Sequence, residues 1–463
     1  MASVDRRNWL KQAGAVCGAR LAAAPAKRPN VVFLFTDDQR ADTVSALGNP
    51  NIRTPNLDCL CRSGMVFRNA YCMGGNSPAV CLPSRNMLLS GRTFFRYGLK
   101  APADAPNFPA AMRDAGYVTY HHGKRGNTAL AIQALFEHNK YLDDQAERSS
   151  GEPGKQIVDD AIRFLRQPRE RPVFMYLAFG NPHDPRVADR RYLDLYDPAK
   201  IPLPRNFLPV HPFDNGEMII RDELLAPWPR TRGEIQRQLA EYWAVVTGLD
   251  ENIGRLIAAM KESGVYDNTI LVFSSDQGIA LGSHGLMGKQ NLYEHSMRVP
   301  LAMSGPGIGS GATDAMVYLM DIFPTILDLC GAAAPAGLDG RSFAPAVRGR
   351  TRQGRESIFL AYRDVQRALR EGRYKLIVYP KIGRHQLFDL ARDPDEMHDL
   401  SADAAQPARI KRMLAKLRSE QARFGDDAPL SVAAPSDGVF HPPAGPELER
   451  LLKPWGIVRR DRP

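Results

Sequence analysis

The 463-residue chain lacks any apolar run of the roughly 18 residues that a membrane-spanning helix requires. Its six cysteines are too few for a disulfide framework in a chain of this length, and Cys59-x-Cys61 lacks the spacing of a zinc knuckle. The formal charge is +10, but the Arg and Lys residues are scattered and no nucleic-acid-binding motif accompanies them. These absences argue against a membrane span, a disulfide scaffold and a nucleic-acid partner, and they favour an anionic substrate.

The composition is that of an ordinary globular protein, with 44% hydrophobic and 24% charged residues. The N-terminus carries Arg6-Arg7 before large apolar residues and an Ala/Gly-rich stretch, so residues 1–27 resemble a twin-arginine export signal. We therefore predict an exported protein, periplasmic or secreted. Because Arg20 interrupts the short apolar stretch, a cytoplasmic protein with a loose N-terminus is the alternative.

Strand patterns alternate with helix patterns over most of the chain, which is typical of a mainly parallel α/β sheet. Two continuous apolar runs, at residues 30–35 and 269–273, are typical of strands covered on both faces. Further strands are predicted at residues 117–122, 173–179 and 299–303, and helices at residues 54–63, after residue 83, at residues 155–166 and at residues 234–260.

The pattern changes after the polar segment 349–356. The C-terminal sequence beyond it predicts a small antiparallel unit, with short strands at residues 357–362, 374–379 and 386–390 and a helix near residues 407–423. We therefore divide the chain into a catalytic domain, residues 28–350, and a C-terminal subdomain with a proline-rich tail, residues 351–463. Residues 186–232, which are rich in proline, are predicted to form a long ordered loop.

Oxygen-bearing side chains follow both buried strands. Asp37 and Asp38 come directly after the first strand, and Asp276 and Gln277 follow the second. Since the carboxyl ends of parallel strands meet at one edge of a sheet, these side chains are predicted to lie together. An all-oxygen set suits a hard cation such as calcium or magnesium rather than zinc. The alternative is that each aspartate only caps a helix or a turn.

The segment Cys81-Leu82-Pro83-Ser84-Arg85 lies between these strands. Pro83 is favourable in the first turn of a helix, which places Cys81 at or just before a helix N-terminus, where an anion is stabilised. Arg85, one turn further on, faces the same side and can hold an oxyanion. A catalytic cysteine of low pKa would share these features, so this short motif alone leaves the kind of nucleophile open.

With Ser90-Gly91-Arg92 after it, the Cys81 motif resembles the signature of the type I sulfatases, which belong to the alkaline phosphatase superfamily. The resemblance covers residues 28–400 and is nearest to the iduronate- and choline-sulfatase-like groups. Other matching segments are Thr54-Pro55-Asn56-Leu57-Asp58, Gly123-Lys124, Pro182-His183-Asp184-Pro185, Ser275-Asp276-Gln277-Gly278, Gly282-Ser283-His284-Gly285 and Leu387-Phe388-Asp389-Leu390.

This resemblance implies an α/β/α sandwich and a sulfuric ester hydrolase whose cysteine is converted to formylglycine by a formylglycine-generating enzyme. The hydrated aldehyde would be both the nucleophile and a calcium ligand. By the same resemblance, one calcium ion would be held by Asp37, Asp38, Cys81, Asp276 and Gln277. The sulfate would be contacted by Arg85, Lys124, His183 and Lys289. His183 would also protonate the leaving alcohol. The alternatives are that His183 is a loop histidine that hydrogen-bonds the backbone and that Lys289 is a solvated surface lysine.

Two residues depart from the family pattern. The family continues Gly-Lys-x-His, and that histidine is thought to assist the release of sulfate, but Gly126 stands in its place here. His121, His122 and Asn127 are candidate substitutes, and the sequence does not choose among them. Gln277 stands where asparagine or histidine is commoner, and it keeps an oxygen donor on a longer side chain.

The sequence thus predicts a sulfatase that acts on a sulfated carbohydrate in preference to choline sulfate or an aryl sulfate. One alternative is a phosphate or phosphonate ester hydrolase of the same superfamily, although the all-oxygen metal set disfavours the zinc phosphatases. Another is a decayed relative that only binds sulfated glycans. The linkage, the position of the sulfate and the oligomeric state have no readable signal in the sequence.

Overall fold

The computed structural model describes residues 28–455 and residue 457, so the predicted export signal lies outside the described residues. The strands are β1 Asn30–Thr36, β2 Met65–Tyr71, β3 Gly74–Gly75, β4 Val118–Gly123, β5 His138–Tyr141, β6 Val173–Ala178, β7 Thr269–Ser275, β8 Arg298–Val299, β9 Leu301–Ser304, β10 Gly311–Tyr318, β11 Ser357–Tyr362, β12 Gln366–Glu371, β13 Tyr374–Tyr379 and β14 Arg384–Asp389. The helices are α1 Pro55–Ser63, α2 Cys81–Ser90, α3 Phe108–Asp114, α4 Leu130–Gln133, α5 Asp144–Ser149, α6 Lys155–Leu165, α7 Arg190–Leu193, α8 Arg232–Glu262, α9 Glu294–Met297, α10 Ile322–Leu329, α11 Ala344–Val347, α12 Pro407–Phe424 and α13 Gly445–Leu452.

A nine-stranded sheet in the order β10-β2-β9-β7-β1-β6-β4-β5, with β8 beside β2, forms the centre of the fold. Strand β1 pairs in parallel with β6 and β7. Its Val32 and Leu34 contact the core formed with α1, α6 and α8, whereas Phe33 and Phe35 contact the core formed with α2, α3 and α10. Because both faces are covered, the strand is apolar at every core position. The predicted α/β/α sandwich with a mostly parallel sheet is confirmed.

Helix α8 is the longest helix of the described chain, and it fixes the end of β1. Thr231 caps its first turn by accepting a hydrogen bond from the Glu234 N–H. Tyr242, on its buried stripe, donates to the Asp38 backbone oxygen at 2.6 Å and accepts from the Arg40 N–H at 2.9 Å. The Tyr242 hydroxyl therefore fixes the backbone that follows β1 at both Asp38 and Arg40.

The structure divides one expected strand, and it contains five strands that the sequence did not predict: β2, β3, β5, β10 and β12. The expected strand at residues 299–303 is divided at Pro300, and its second part, β9, runs antiparallel to β2 and β7. Proline has no N–H to donate to a strand ladder, which explains the break. Strand β5 was missed because its residues are mostly exposed, and β12 was missed because its buried side chains are largely polar or charged.

The second sheet has the order β14-β13-β12-β11-β3, and its four C-terminal strands are antiparallel as predicted. Strand β3, from the segment just before Cys81, pairs in parallel with β11. Gly74 has a φ of 102°, and a Cβ on it would lie 2.1 Å from the Ala361 oxygen, so only glycine fits this contact. One apolar core continues from the large sheet to this sheet and to α12, and the division at residues 349–356 stays a prediction.

The proline-rich segment 186–232 is irregular apart from α7 and two single turns, in agreement with the predicted long loop. In the part of the chain that the structure describes, no helix is both long and apolar enough to cross a membrane.

Two neighbouring histidines of β4 are completely buried on opposite faces of the sheet. His121 packs on Phe136 and Tyr176, whereas His122 lies 3.2 Å from the Asp160 carboxylate of α6. Burial lowers the pKa of each imidazole to about 3. Both rings are therefore neutral members of the core.

These histidines should make the fold sensitive to acid. In the unfolded chain each ring titrates near its ordinary pKa of 6.5, whereas in the folded chain it stays neutral down to about pH 3. Stability is complete above the unfolded pKa and is lost as the pH falls below it, by about 2 kcal/mol per histidine at about pH 5. We expect the melting temperature of His121→Phe to fall less than that of the wild type between about pH 7 and about pH 5. The control is His398→Phe at an exposed histidine, and equal falls in all three proteins would contradict the prediction.

Candidate active site

The carboxyl ends of β1 and β7 meet at one edge of the large sheet, because these strands are adjacent, parallel and in register over their full lengths. They bring Asp37, Asp38, Asp276 and Gln277 together, as predicted. The Asp38 N–H donates to Asp276 Oδ1 at 3.0 Å and so links the two strand ends. All four side chains are at most 1% exposed.

Cys81 is the first residue of α2, and its sulfur faces this edge. Its Sγ lies 3.3 Å from Asp37 Oδ1 and 4.0 Å from Asp38 Oδ1. One ligand atom from each of Asp37, Asp38, Cys81 and Asp276 lies within 4.8 Å of the others. We call these four residues and Gln277 the acidic cluster.

Gln277 completes the set of oxygen-bearing groups. Its Nε2 donates to Asp38 Oδ1 at 2.6 Å and lies 3.0 Å from Cys81 Sγ, while its Oε1 is buried without a hydrogen-bond partner. A half-turn of the amide would bring Oε1 to the position of Nε2. A buried carbonyl oxygen without a partner, beside several buried carboxylates, fits a hard cation such as calcium.

Arg85 lies beneath the acidic cluster with no exposed surface. Its Nε donates to Asp276 Oδ2 at 2.8 Å, and its Nη2 lies 3.3 Å from Asp37 Oδ2. The guanidinium also stands over the Phe35 ring, 5.0 Å from its centroid. Its Nη1 is buried and has no hydrogen-bond partner among the described residues.

Two lysines approach the acidic cluster from other elements. Lys124, just after β4, forms an ion pair with Asp37. Lys289 Nζ lies 2.7 and 2.8 Å from the two carboxylate oxygens of Asp38 and 3.3 Å from Cys81 Sγ. Both lysines are nearly completely buried, so the interpretation of Lys289 as a solvated surface lysine is wrong.

The surroundings set the charge states of the acidic cluster. Burial alone would raise the pKa of Asp37, but Lys124 and Arg85 outweigh it and hold that pKa well below its ordinary value. Burial and the Asp37 carboxylate raise the pKa of Asp276 to about 6. They also raise the pKa of the Cys81 thiol well above its ordinary value. Cys81 is therefore a neutral thiol here, which disfavours a plain catalytic cysteine of low pKa.

His183 lies at the mouth of the site, with its side chain 14% exposed. Its Nε2 is 3.7 Å from Asp38 Oδ2. On the other side of the ring, Nδ1 lies 2.7 Å from the Asp184 backbone oxygen and 3.0 Å from Arg148 Nη1. This imidazole is therefore accessible to a ligand and in contact with the acidic cluster at the same time.

None of the predicted substitutes for the family histidine is part of the acidic cluster. The contacts of His121 and His122 are with the cores on the two faces of the sheet, and Asn127 is exposed. The Gly126 N–H donates to Asp144 Oδ2 at 2.7 Å, and a Cβ on Gly126 would lie 2.9 Å from that oxygen. A histidine at position 126 would therefore need Asp144 to move.

Sequence reasoning missed several polar residues at the mouth. Asp222 Oδ2 lies 3.9 Å from Lys289 Nζ and accepts from Gln290 Nε2 at 2.8 Å. Arg221 forms an ion pair with Asp184. Arg221 and Asp222 lie in the long segment 186–232, and loops of that length are usually functional, so their position could have indicated them.

Comparisons with known proteins agree with this geometry. Residues 29–332 match the family model described as sulfatase, and residues 282–423 match that of the C-terminal region of N-sulphoglucosamine sulphohydrolase. The chain is 28% identical to an N-acetylglucosamine-6-O-sulfatase from Bacteroides thetaiotaomicron, over 87% of this chain and 88% of that protein. It is 27% identical to a choline-sulfatase from Rhizobium meliloti, over 82% and 84% respectively.

A solved structure described as a complex with its substrate D-glucosamine-2-N,6-O-disulfate has the same fold. Its TM-score is 0.75 at 24% sequence identity, and the match covers 87% of this chain and 99% of that one. The sulfatase match spans well over half of the present chain and includes both strand ends and helix α2. The chain therefore belongs to the sulfatase family.

Proposed function

We propose that this sulfatase hydrolyses a sulfate ester of a carbohydrate, with a nucleophile made by oxidation of Cys81 to formylglycine and with one calcium ion. The observation that carries the proposal is the position of Cys81, buried at the N-terminus of α2 among three carboxylates and Gln277. An unmodified neutral thiol is a poor nucleophile, which supports a modified side chain. The maturation partner would be a formylglycine-generating enzyme.

The charges of the site support a divalent cation together with an anionic substrate. The buried carboxylates are balanced by an equal number of cations: Asp37, Asp38 and Asp276 against Arg85, Lys124 and Lys289. Calcium, when held by the acidic cluster, would add positive charge and polarise an oxygen of the nucleophile. The resulting surplus of positive charge favours an anionic ester over a neutral one.

The side chains around Cys81 have the chemistry that sulfuryl transfer needs. Lys289, which is 3.3 Å from Cys81 Sγ, and Lys124 are placed to neutralise the sulfuryl oxygens as the bond to the leaving group breaks. Arg85 keeps the carboxylates in position and offers its unpartnered Nη1. His183 is partly exposed with Nε2 towards the site, so it can hold the proton that the leaving alcohol takes up.

A sulfated sugar fits the mouth of the site better than choline sulfate does. Choline carries a quaternary ammonium, and the residues next to His183 include three arginines, Arg148, Arg186 and Arg221, of which only Arg221 is paired with a carboxylate. Like charges repel, so a cationic leaving group is disfavoured here. The name of the N-acetylglucosamine-6-O-sulfatase relative supports a sugar as well.

Formylglycine formation can be measured by mass spectrometry of the peptide that contains Cys81. The tryptic peptide that ends at Arg85 begins after Arg68 and contains both Cys72 and Cys81, so Cys72 is an internal control. For protein from the native host, we expect that only Cys72 is alkylated. We also expect that the mass of Cys81 changes by the amount that corresponds to the replacement of its thiol by an aldehyde. A peptide alkylated at both cysteines would remove the proposed nucleophile.

Calcium should stabilise the folded protein, because a ligand that binds only the native state shifts the unfolding equilibrium. The expected gain is about 2.7 kcal/mol at a hundredfold excess over the dissociation constant. We expect the melting temperature of the wild type to rise with calcium after treatment with a chelator, and that of Asp38→Asn to respond much less. Asp194→Asn, at an exposed aspartate, is the matched control. A calcium response that Asp38→Asn leaves unchanged would contradict this assignment of the ion.

The alternative function, hydrolysis of a phosphate or phosphonate ester, is tested by comparing the hydrolysis of an aryl sulfate with that of the corresponding aryl phosphate. We expect the larger kcat/KM for the sulfate, since the chain belongs to the sulfatase family. Cys81→Ala, which removes the proposed nucleophile, should abolish hydrolysis of both compounds. A large preference for phosphate would overturn the proposed reaction, and binding of sulfated sugars without any turnover would point to the decayed relative.

A further inference from the structure

Arg148, on α5, is a cation at the mouth of the site that the proposed mechanism does not use. Its Nε donates to the Asp144 backbone oxygen at 3.0 Å, and its Nη1 lies 3.0 Å from His183 Nδ1. Among residues 28–455 it forms no ion pair with a carboxylate. Its partly buried guanidinium therefore keeps an uncompensated positive charge beside His183.

The contact with His183 does not satisfy this guanidinium. The same Nδ1 also lies 2.7 Å from the Asp184 backbone oxygen. A ring nitrogen either donates to a carbonyl or accepts from a guanidinium, and it cannot do both at once. When His183 donates to Asp184, Arg148 loses this acceptor, and the remaining N–H groups of its partly exposed guanidinium are free to bind an anion.

The other arginines at the mouth are placed differently. Arg221 is paired with Asp184, and Arg186 donates from Nη1 to Gln238 Oε1 at 2.8 Å, while its Nε and Nη2 are buried without a hydrogen-bond partner among the described residues. Arg148 is the one of these three arginines that contacts the His183 ring, and its acceptors in the described chain are a backbone oxygen and a shared ring nitrogen.

Gly126 allows helix α5 to take this place. Asp144, the first residue of α5, accepts from the N–H groups of Arg125 and Gly126 at 3.0 and 2.7 Å. A side chain at position 126 would collide with this carboxylate. The contact between Asp144 and Gly126 therefore leaves no room for a histidine at position 126, and it places helix α5 so that Arg148 lies near His183.

The position of Arg148 indicates which part of a substrate it can reach. The imidazole of His183 lies between the two groups, with Nε2 towards Asp38 and Nδ1 towards Arg148. The guanidinium is therefore separated from the acidic cluster by the His183 ring, and it lies further out than Nε2, the atom that would protonate the leaving alcohol. A group bound there belongs to the sugar and not to the sulfate under attack.

We propose that Arg148 binds a second anionic group of the substrate, a carboxylate or another sulfate carried by the sugar part. A guanidinium suits this task, because it can hold two oxygens of an oxyanion in one plane. This inference rests on the proposed function, since it assumes that the sulfate ester binds at the acidic cluster. The contact between Arg148 and this second anionic group makes the enzyme selective for glycans with more than one negative charge.

The test compares Arg148→Gln with the wild type on three sulfated sugars. One carries a single sulfate and no other charge, the second carries an additional sulfate, and the third is linked to a uronate. We expect the KM of Arg148→Gln to rise about tenfold or more for a substrate with the second anion, which is the effect of losing one charge-assisted hydrogen bond. The loss of the contact with His183 affects all three sugars alike, so the increase in KM for the substrate with the second anion should exceed any change on the singly charged sugar by that factor. The substrate that shows the increase identifies the anion as sulfate or carboxylate.

Two further variants control for structural effects. Arg148→Lys keeps the charge and should recover part of the lost affinity, and Arg190→Gln removes an exposed arginine of another helix and should change nothing. Equal losses on all three sugars would show that Arg148 only positions His183. Unchanged constants on all three would show that it does not touch the substrate. Either result overturns the proposal.

Binding gives a second readout that does not depend on turnover. Cys81→Ala and the double variant Cys81→Ala/Arg148→Gln are titrated with the singly and doubly charged sugars. We expect the double variant to lose the preference for the doubly charged sugar that Cys81→Ala shows, and an unchanged preference would overturn the role of Arg148. A wild type that binds these sugars but hydrolyses none would contradict the proposed function while leaving this comparison valid.

Discussion

The balance between three buried carboxylates and three buried cations is the constraint on which the site depends. Isolated charges in a protein interior are strongly unfavourable, so each carboxylate at the ends of β1 and β7 needs a cation close by. Those cations come from separate parts of the chain: Arg85 from α2, Lys124 from the end of β4 and Lys289 from the segment after β7. The charge balance therefore draws three elements of the fold onto one edge of the sheet.

In the structure, the lysines and the arginine compensate the carboxylates directly. In the proposed reaction, a divalent cation held by the carboxylates would share their negative charge and would leave the same side chains available to an anionic substrate. The proposal thus assigns one set of residues to both the fold and the chemistry.

Much of this structure could be predicted from the sequence, and the failures have physical causes. Strands such as β1 and β7 are continuous apolar runs because both of their faces are covered, and the polar residues after them had to meet at one edge. The burial of Arg85 between two aspartates had no signal in a local pattern, since it depends on contacts across the sheet. The same holds for β12, whose buried Arg367 pairs with Asp426 far along the chain. Arg148 lay in no motif, and its neighbour His183 became visible as a partner only in three dimensions.

The pairing of β3 with β11 has a consequence for the order of events during synthesis. The segment ahead of Cys81 reaches its final strand partner only when Ser357–Tyr362 has been made, long after Cys81 itself. Until then β3, just ahead of Cys81, lacks its strand partner, whereas in the finished protein Cys81 is 1% exposed. The modification proposed for Cys81 would therefore belong to the interval before the C-terminal strands close.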